Sequence, residues 1–311
     1  MSIAFISFSC NKNDDKITPP SKQNPQTATS TTASTATQTF VTTWSKLEVR
    51  FTKGHSHGYF HGNPDYPVKY LKTVQHFYFN NVNGVPTPAA NNPTAIRWEG
   101  ADVVEEDHHD DEDEDHHHHS NQGVSLYGIE LIFYDASGKR INTMLSTDNN
   151  PNHYQFFFVA NNFVAVASNT TVPTQAEALN YKYRDTNPEE LYIKGGAGID
   201  KNPNAPKGVL RQEQIGLKGF FEVKRTYINF DLRIILGYFS SKPADLAYNT
   251  VPNNKILDVK IPIHIYTDIL KEYKQVEDAM REFGVSREEI TKDQDDILSS
   301  NLSPESSGTF L

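Results

Sequence analysis

The chain has 311 residues and a formal net charge of −10, but nine of its acids sit in one segment, 105–119, and without them the charge is about −1. The acidity is therefore local. No basic stripe answers a phosphate backbone, which excludes nucleic acid as a partner, and no run approaches 18 consecutive apolar residues, so no stretch reads as a membrane-crossing helix.

Aromatic residues reach 11%, led by 18 Phe and 15 Tyr, an enrichment that suits strands better than helices. One cysteine, Cys10, is present, so no disulfide forms within the chain and no cysteine-based zinc cluster is possible.

Residues 1–9 are an apolar run ending in the small Ser9, directly before Cys10. Asn-Lys-Asn-Asp-Asp-Lys follows, then a Thr/Ser-rich stretch. This pattern resembles the end of a bacterial lipoprotein signal peptide, with Cys10 as the lipidated residue. Ser-Cys-Asn-Lys-Asn-Asp-Asp is also similar to surface lipoproteins of the Bacteroidota type. The resemblance implies a body anchored through Cys10 to the outer membrane, at the cell surface or on its periplasmic face. A lipid on one terminus holds a soluble body at a bilayer without spanning it. The resemblance thus implies that segment 1–10 is a signal remnant with its lipidated Cys.

Residues 11–43 read as a disordered tether. Pro, Thr and Ser dominate, and such a segment buries too little apolar surface to offset its ordering entropy. The folded body is expected over 44–266. Residues 47–51 alternate apolar and polar and predict a strand. Gly54-His-Ser-His-Gly-Tyr-Phe-His61-Gly follows as a glycine-bounded loop carrying His55, His57 and His61. Glycine lets such a loop turn tightly and bring ligands together; an exposed polar loop is the plain alternative. Gly54-His-Ser-His-Gly58 also matches a nucleophile elbow, but the helix that motif needs is not predicted after Gly58, Gly62, Pro64 and Pro67.

Further strands are expected over 72–79, 124–134, 139–145, 153–158 and 163–167, with a turn at 135–138. His76 falls in strand register and reads as a satisfied histidine. His153 sits at a loop-to-strand border and is a further candidate ligand. A helix capped by Thr174 is predicted over 174–181. A long loop spans 183–207, its acids Asp185, Glu189 and Glu190 facing solvent. Residues 219–239 read as two strands or one bent strand, and 256–266 as an edge or bulged strand because of Pro262. Helices are predicted over 267–283, closed by Gly284, and from a Ser286–Glu289 capping box to about 298. The apolar stripe of the first should pack on the chain's own sheet. A disordered tail takes 299–311. The whole reads as all-β: an antiparallel β-sandwich, Ig-like or jelly-roll-like, with a short C-terminal helical segment at 267–298.

The insertion 105–119 holds nine carboxylates, six imidazoles and no apolar residue, so it cannot enter a core. Imidazole suits Zn, Cu and Ni, and flanking carboxylates draw dications in. His108, His109, His116, His117, His118 and His119, with Asp110, Asp113 and Asp115, are the candidate ligands, beside His55, His57, His61 and His153. The tract resembles the His/Asp-rich loops of periplasmic zinc-binding proteins and the His-rich lipoproteins that accompany TonB-dependent receptors. That likeness implies a metal-capturing, non-enzymatic protein with Zn (or Cu or Ni) bound and an outer-membrane receptor as partner. The alternative is a surface lipoprotein that binds a protein or glycan, its tract only solubilising. No acid–base or nucleophile constellation has a supporting context, and oligomeric state is not readable.

Overall fold

The computed structural model describes residues 35–56, 59–62, 71–100, 125–147, 149–167, 170–195, 204–267, 272–291 and 308–311, all within one unit, Ala33–Leu311. The sequence expectations for Cys10, for His57 and for the tract 105–119 lie outside the described residues. In chain order the strands are β1 (Trp44–Ser56), β2 (Phe60–Gly62), β3 (Val74–Val82), β4 (Val85–Pro88), β5 (Ile96–Glu99), β6 (Ser125–Asp135), β7 (Tyr154–Ala165), β8 (Leu179–Tyr183), β9 (Thr186–Asn187), β10 (Val209–Leu210), β11 (Lys218–Val223), β12 (Ile228–Tyr238) and β13 (Lys255–Tyr266). The helices are α1 (Thr35–Thr43), α2 (Thr143–Ser146), α3 (Gln175–Ala178), α4 (Tyr273–Phe283) and α5 (Arg287–Thr291).

One sheet runs β4-β3-β1-β6-β11-β8, with β2 beside the end of β1. A second runs β5-β13-β12-β7, and β9 pairs with β10. Among the described residues every strand pairing is antiparallel except β5 with β13. The two larger sheets share one core, the arrangement expected of a β-sandwich. Alternation builds it: Leu47, Val49 and Phe51 of β1 are buried in the core, as are Ile261, Ile263 and Ile265 of β13. Trp98 of β5 joins the layers, its ring 5.7 Å from Phe51, 5.0 Å from Tyr127, 5.2 Å from Phe221 and 6.0 Å from Phe230.

Several expectations need correction. The tether does not extend to 43, because α1 opens the body. Phe40 is buried at 1% exposure, edge-on to Phe133 at 5.1 Å. Asn81 donates from its side-chain amide to the carbonyls of Val41 and Trp44, fixing the helix-to-strand junction. The strand expected over 139–145 is a turn and a short helix: Asn142 is buried, donates to the Leu131 carbonyl and accepts from the Phe133 N–H. The two strands expected around Asn161 and Asn162 are one strand, β7. Asn162 absorbs a bulge at φ 56, a left-handed conformation Asn tolerates, and its amide bonds Asp231.

The helix expected over 174–181 stops after four residues. The Thr174–Glu177 capping box forms as expected, but Leu179–Tyr183 pairs with β11 instead. Tertiary pairing overrides a short helical pattern there. β13 is an interior strand, yet β5 covers only Ile263–Tyr266, so Pro262 falls just where that neighbour is missing. The last two helices form, but the first begins at Tyr273 rather than 267, with Glu272 extended and Thr267 outside it, and the second is described only over Arg287–Thr291. Gly284 closes α4 at φ 67, the Ser286–Glu289 box opens α5, and the α4 stripe packs on Tyr266 of β13.

The tail is not disordered at its last residues. Phe60 and Leu311 exchange both backbone hydrogen bonds at 2.8 Å, and the Gly62 N–H donates to Thr309 at 2.8 Å. Leu311 then closes a small second core with Phe60, Leu126 and Phe220 on the outer face of the larger sheet. A three-residue strand such as β2 needs this second partner, because one short pairing leaves half its polar groups unsatisfied.

Candidate functional site

The described histidines of the Gly54–Gly62 segment form a cross-strand pair. His55 of β1 stands opposite His61 of β2 in register, with ring centroids 3.8 Å apart at 70°. Ser56 continues β1 and Phe60 resumes as a strand, so this motif lacks the strand–turn–helix course of a nucleophile elbow. Two glycines allow the fold-back. A Cβ on Gly54 would overlap the Phe60 ring and the His61 carbonyl, and one on Gly128 would lie 2.7 Å from the same ring. His61 is buried at 6% exposure, stacked 5.8 Å from Phe310. Its Nδ1 lies 3.2 Å from the Gly62 carbonyl. A carbonyl only accepts, so this contact places the ring N–H on Nδ1.

The ends of the tract are anchored at this same end of the body. Before it, the Gly100 N–H donates to the Tyr266 carbonyl at 2.7 Å. After it, Ser125 pairs with Val223. One bond ties the two sides together: the Glu99 N–H donates to the Tyr127 hydroxyl at 2.7 Å. Gly54 stands opposite Leu126, so His55 lies one residue beyond the β1–β6 pairing, beside the point where the chain re-enters β6.

His153 is not brought to that pair. It precedes β7, whose Phe156 stacks on Phe133 at 6.0 Å, and Phe133 stands opposite Leu47. From Leu47 to His55 β1 rises about 26 Å, which puts His153 at the other end. Among the described residues no group of three or more His, Cys, Asp or Glu is placed to hold a metal ion. The His55–His61 pair is two histidines, fewer than the three protein ligands of an open zinc site or the four of a closed one.

The other polar cluster is a charged layer on the outer face of the larger sheet, which sequence reading missed. Glu48 accepts from His76 at 3.0 Å, Tyr134 at 2.8 Å and Arg50 at 3.2 Å. Burial pushes the Glu48 carboxyl up, but these donors and the Arg50 charge outweigh it and hold its pKa at about 2. Glu130 takes Arg140 at 3.0 Å and the Tyr192 hydroxyl at 2.6 Å. Arg140 also grips Glu189, through Nε at 3.0 Å. Asp185 and Glu189, expected in solvent, are 2% and 5% exposed. Asp185 accepts three backbone N–H groups, from Ile215, Gly216 and Lys218. Burial still leaves its carboxyl above the ordinary value. Lys218 is buried, with its Nζ bonding Thr186, the Leu191 carbonyl and the Glu189 carbonyl. Each of these charges is turned onto a neighbour. The layer fastens the 185–192 segment to the sheet.

Comparison with protein-family models, with curated proteins and with solved structures returned no match to the chain.

Proposed function

We propose that the chain is a lipid-anchored, extracytoplasmic, non-enzymatic protein that captures Zn²⁺, or Cu²⁺ or Ni²⁺, through its His/Asp-rich tract. One observation supports this above the tract's composition. The tract leaves and re-enters the body at the end that carries the His55–His61 pair, with Glu99 and Tyr127 tying its two anchors together. The carboxylates of 105–119 raise the local dication concentration, and the imidazoles supply nitrogen ligands. His55 and His61 add a pair already aligned by a strand ladder, which lowers the cost of ordering ligands. The body is a sandwich of the Ig-like or jelly-roll-like kind that holds both at one end. Lipid on Cys10 keeps the captured ion at the outer membrane, and an outer-membrane metal-uptake receptor is the partner this role calls for.

Imidazole binds metal only when neutral, and its ordinary pKa is about 6.5. Zn²⁺ affinity of the full chain is therefore expected to fall steeply below about pH 6. Equal affinity at pH 5 and pH 7.5 would remove histidine as the ligand. Incorporation of labelled fatty acid in cells, lost in Cys10→Ser, tests the anchor; equal labelling of both would sink it.

A further inference from the structure

At the end of the body away from His55, three loops meet around a cleft of about 560 Å³. The size lies within the roughly 300–1,000 Å³ range of small-molecule sites. Its walls come from the turn before β7, the segment after β12 and residue Glu213 before β11.

The loops are fastened to one another rather than merely adjacent. The Phe239 N–H donates to the His153 carbonyl at 2.8 Å, and His153 Nδ1 donates back to the Phe239 carbonyl at 2.9 Å. The Lys242 N–H donates to Asn152 at 3.2 Å, and Lys242 Nζ donates to the Gln214 carbonyl at 2.8 Å. The His153 ring stacks on Tyr238 at 5.9 Å. The third loop is thus joined to the second, and the second to the first. A rigid scaffold presenting pinned loops is where binding sites concentrate.

The lining decides the ligand class. Asn149, Asn152, Ser240 and Ser241 each both donate and accept hydrogen bonds. His153, with its N–H committed to Phe239, offers Nε2 as an acceptor. The two charges oppose each other, Lys242 Nζ lying 4.0 Å from Glu213 Oε2. Only Pro243 and Ala244 are apolar. Balanced charge disfavours an ionic ligand, and so polar a wall disfavours an apolar one. A hydroxyl group also donates and accepts at once, so a surface of such groups matches this lining.

We infer that this cleft is a binding site for a neutral, polyhydroxylated ligand, that is, a carbohydrate. It is separate from the metal reading and stands without it.

The test is an amide NMR titration of the full chain with a panel of neutral di- and trisaccharides at millimolar concentration, with glucuronate and hexanol as charged and apolar controls. The expected result is that at least one neutral saccharide shifts the side-chain amides of Asn149 and Asn152 and the backbone amides of Ser240–Lys242. Asn152→Ala is expected to weaken it about tenfold, the scale of one lost hydrogen bond or a little more, while leaving Zn²⁺ binding unchanged. Asn152 is exposed, so this variant should fold; an unchanged melting temperature checks that. Shifts confined to other regions, a response to glucuronate or hexanol alone, or no response to any saccharide would overturn the inference.

Discussion

Arg140→Ala removes the cation that Glu130 and Glu189 share. The two carboxylate side chains are 6% and 5% exposed, so neither regains much water when the guanidinium goes. Breaking a buried ion pair from one side costs about 3–5 kcal/mol, because the remaining charge is stranded. Arg140 itself is 26% exposed, which lets water reach the gap, and Glu130 keeps Arg50 at 3.6 Å, so the lower figure applies, about 3 kcal/mol. With a urea slope of roughly 3 kcal/mol/M, a size-appropriate value, the midpoint should fall by about 1 M. Adding Glu189→Gln to Arg140→Ala discharges one stranded group and should restore at least about 1 kcal/mol. Urea unfolding followed by tryptophan fluorescence measures both. A loss below about 1 kcal/mol for Arg140→Ala, the scale of an exposed pair, would refute a buried clamp. So would a double variant weaker than the single one.

The Glu48 carboxyl is held at about 2, below its unfolded value, so its contribution is complete above about pH 4.5 and is lost as pH falls toward 2. Its upper bound is about 3 kcal/mol; acid unfolding curves of the parent and Glu48→Gln should converge over that window, and a constant gap would contradict the assignment. Phe40→Ala should cost about 3–5 kcal/mol, since it empties a core site; a melt like the parent's would place α1 outside the body. Gly54→Val should force β2 off β1, so that the amides of Phe60 and Leu311 exchange with deuterium faster than in the parent; unchanged protection of both would show that the close approach is not required.

Periodicity made much of the sheet readable. The alternation of 47–51 and 256–265 marks β1 and β13 directly, and the Thr174 and Ser286 caps appear where their side-chain chemistry places them. The misreadings share a cause: each depends on a distant partner. Phe40 lies in a Thr-rich stretch, and only its contact with Phe133 orders it. Leu179–Tyr181 looks helical until β11 offers a ladder. Asp185 and Glu189 are acids in a loop, and their burial needs Ile215–Lys218 and Arg140. Phe310 and Leu311 are two apolar residues in a polar tail, and β2 supplies their reason. At the candidate site, the sequence reads Gly54–Gly62 as a loop, whereas His55 and His61 face each other across β1 and β2; that register, and its position beside the tract anchors, rest on β2 folding back on β1 and on β5 lying parallel to β13. No local pattern announces that pairing.

The most direct test of metal capture is a calorimetric Zn²⁺ titration of three forms of the full chain, keeping α1 in place: the parent, a form with 105–119 replaced by a short Gly/Ser loop, and His55→Ala/His61→Ala. Metal capture at this end of the sandwich predicts tight binding by the parent, most of it lost with the tract, and a smaller loss of affinity in the double histidine variant. Weak binding by the parent, or equal binding by all three, would contradict it.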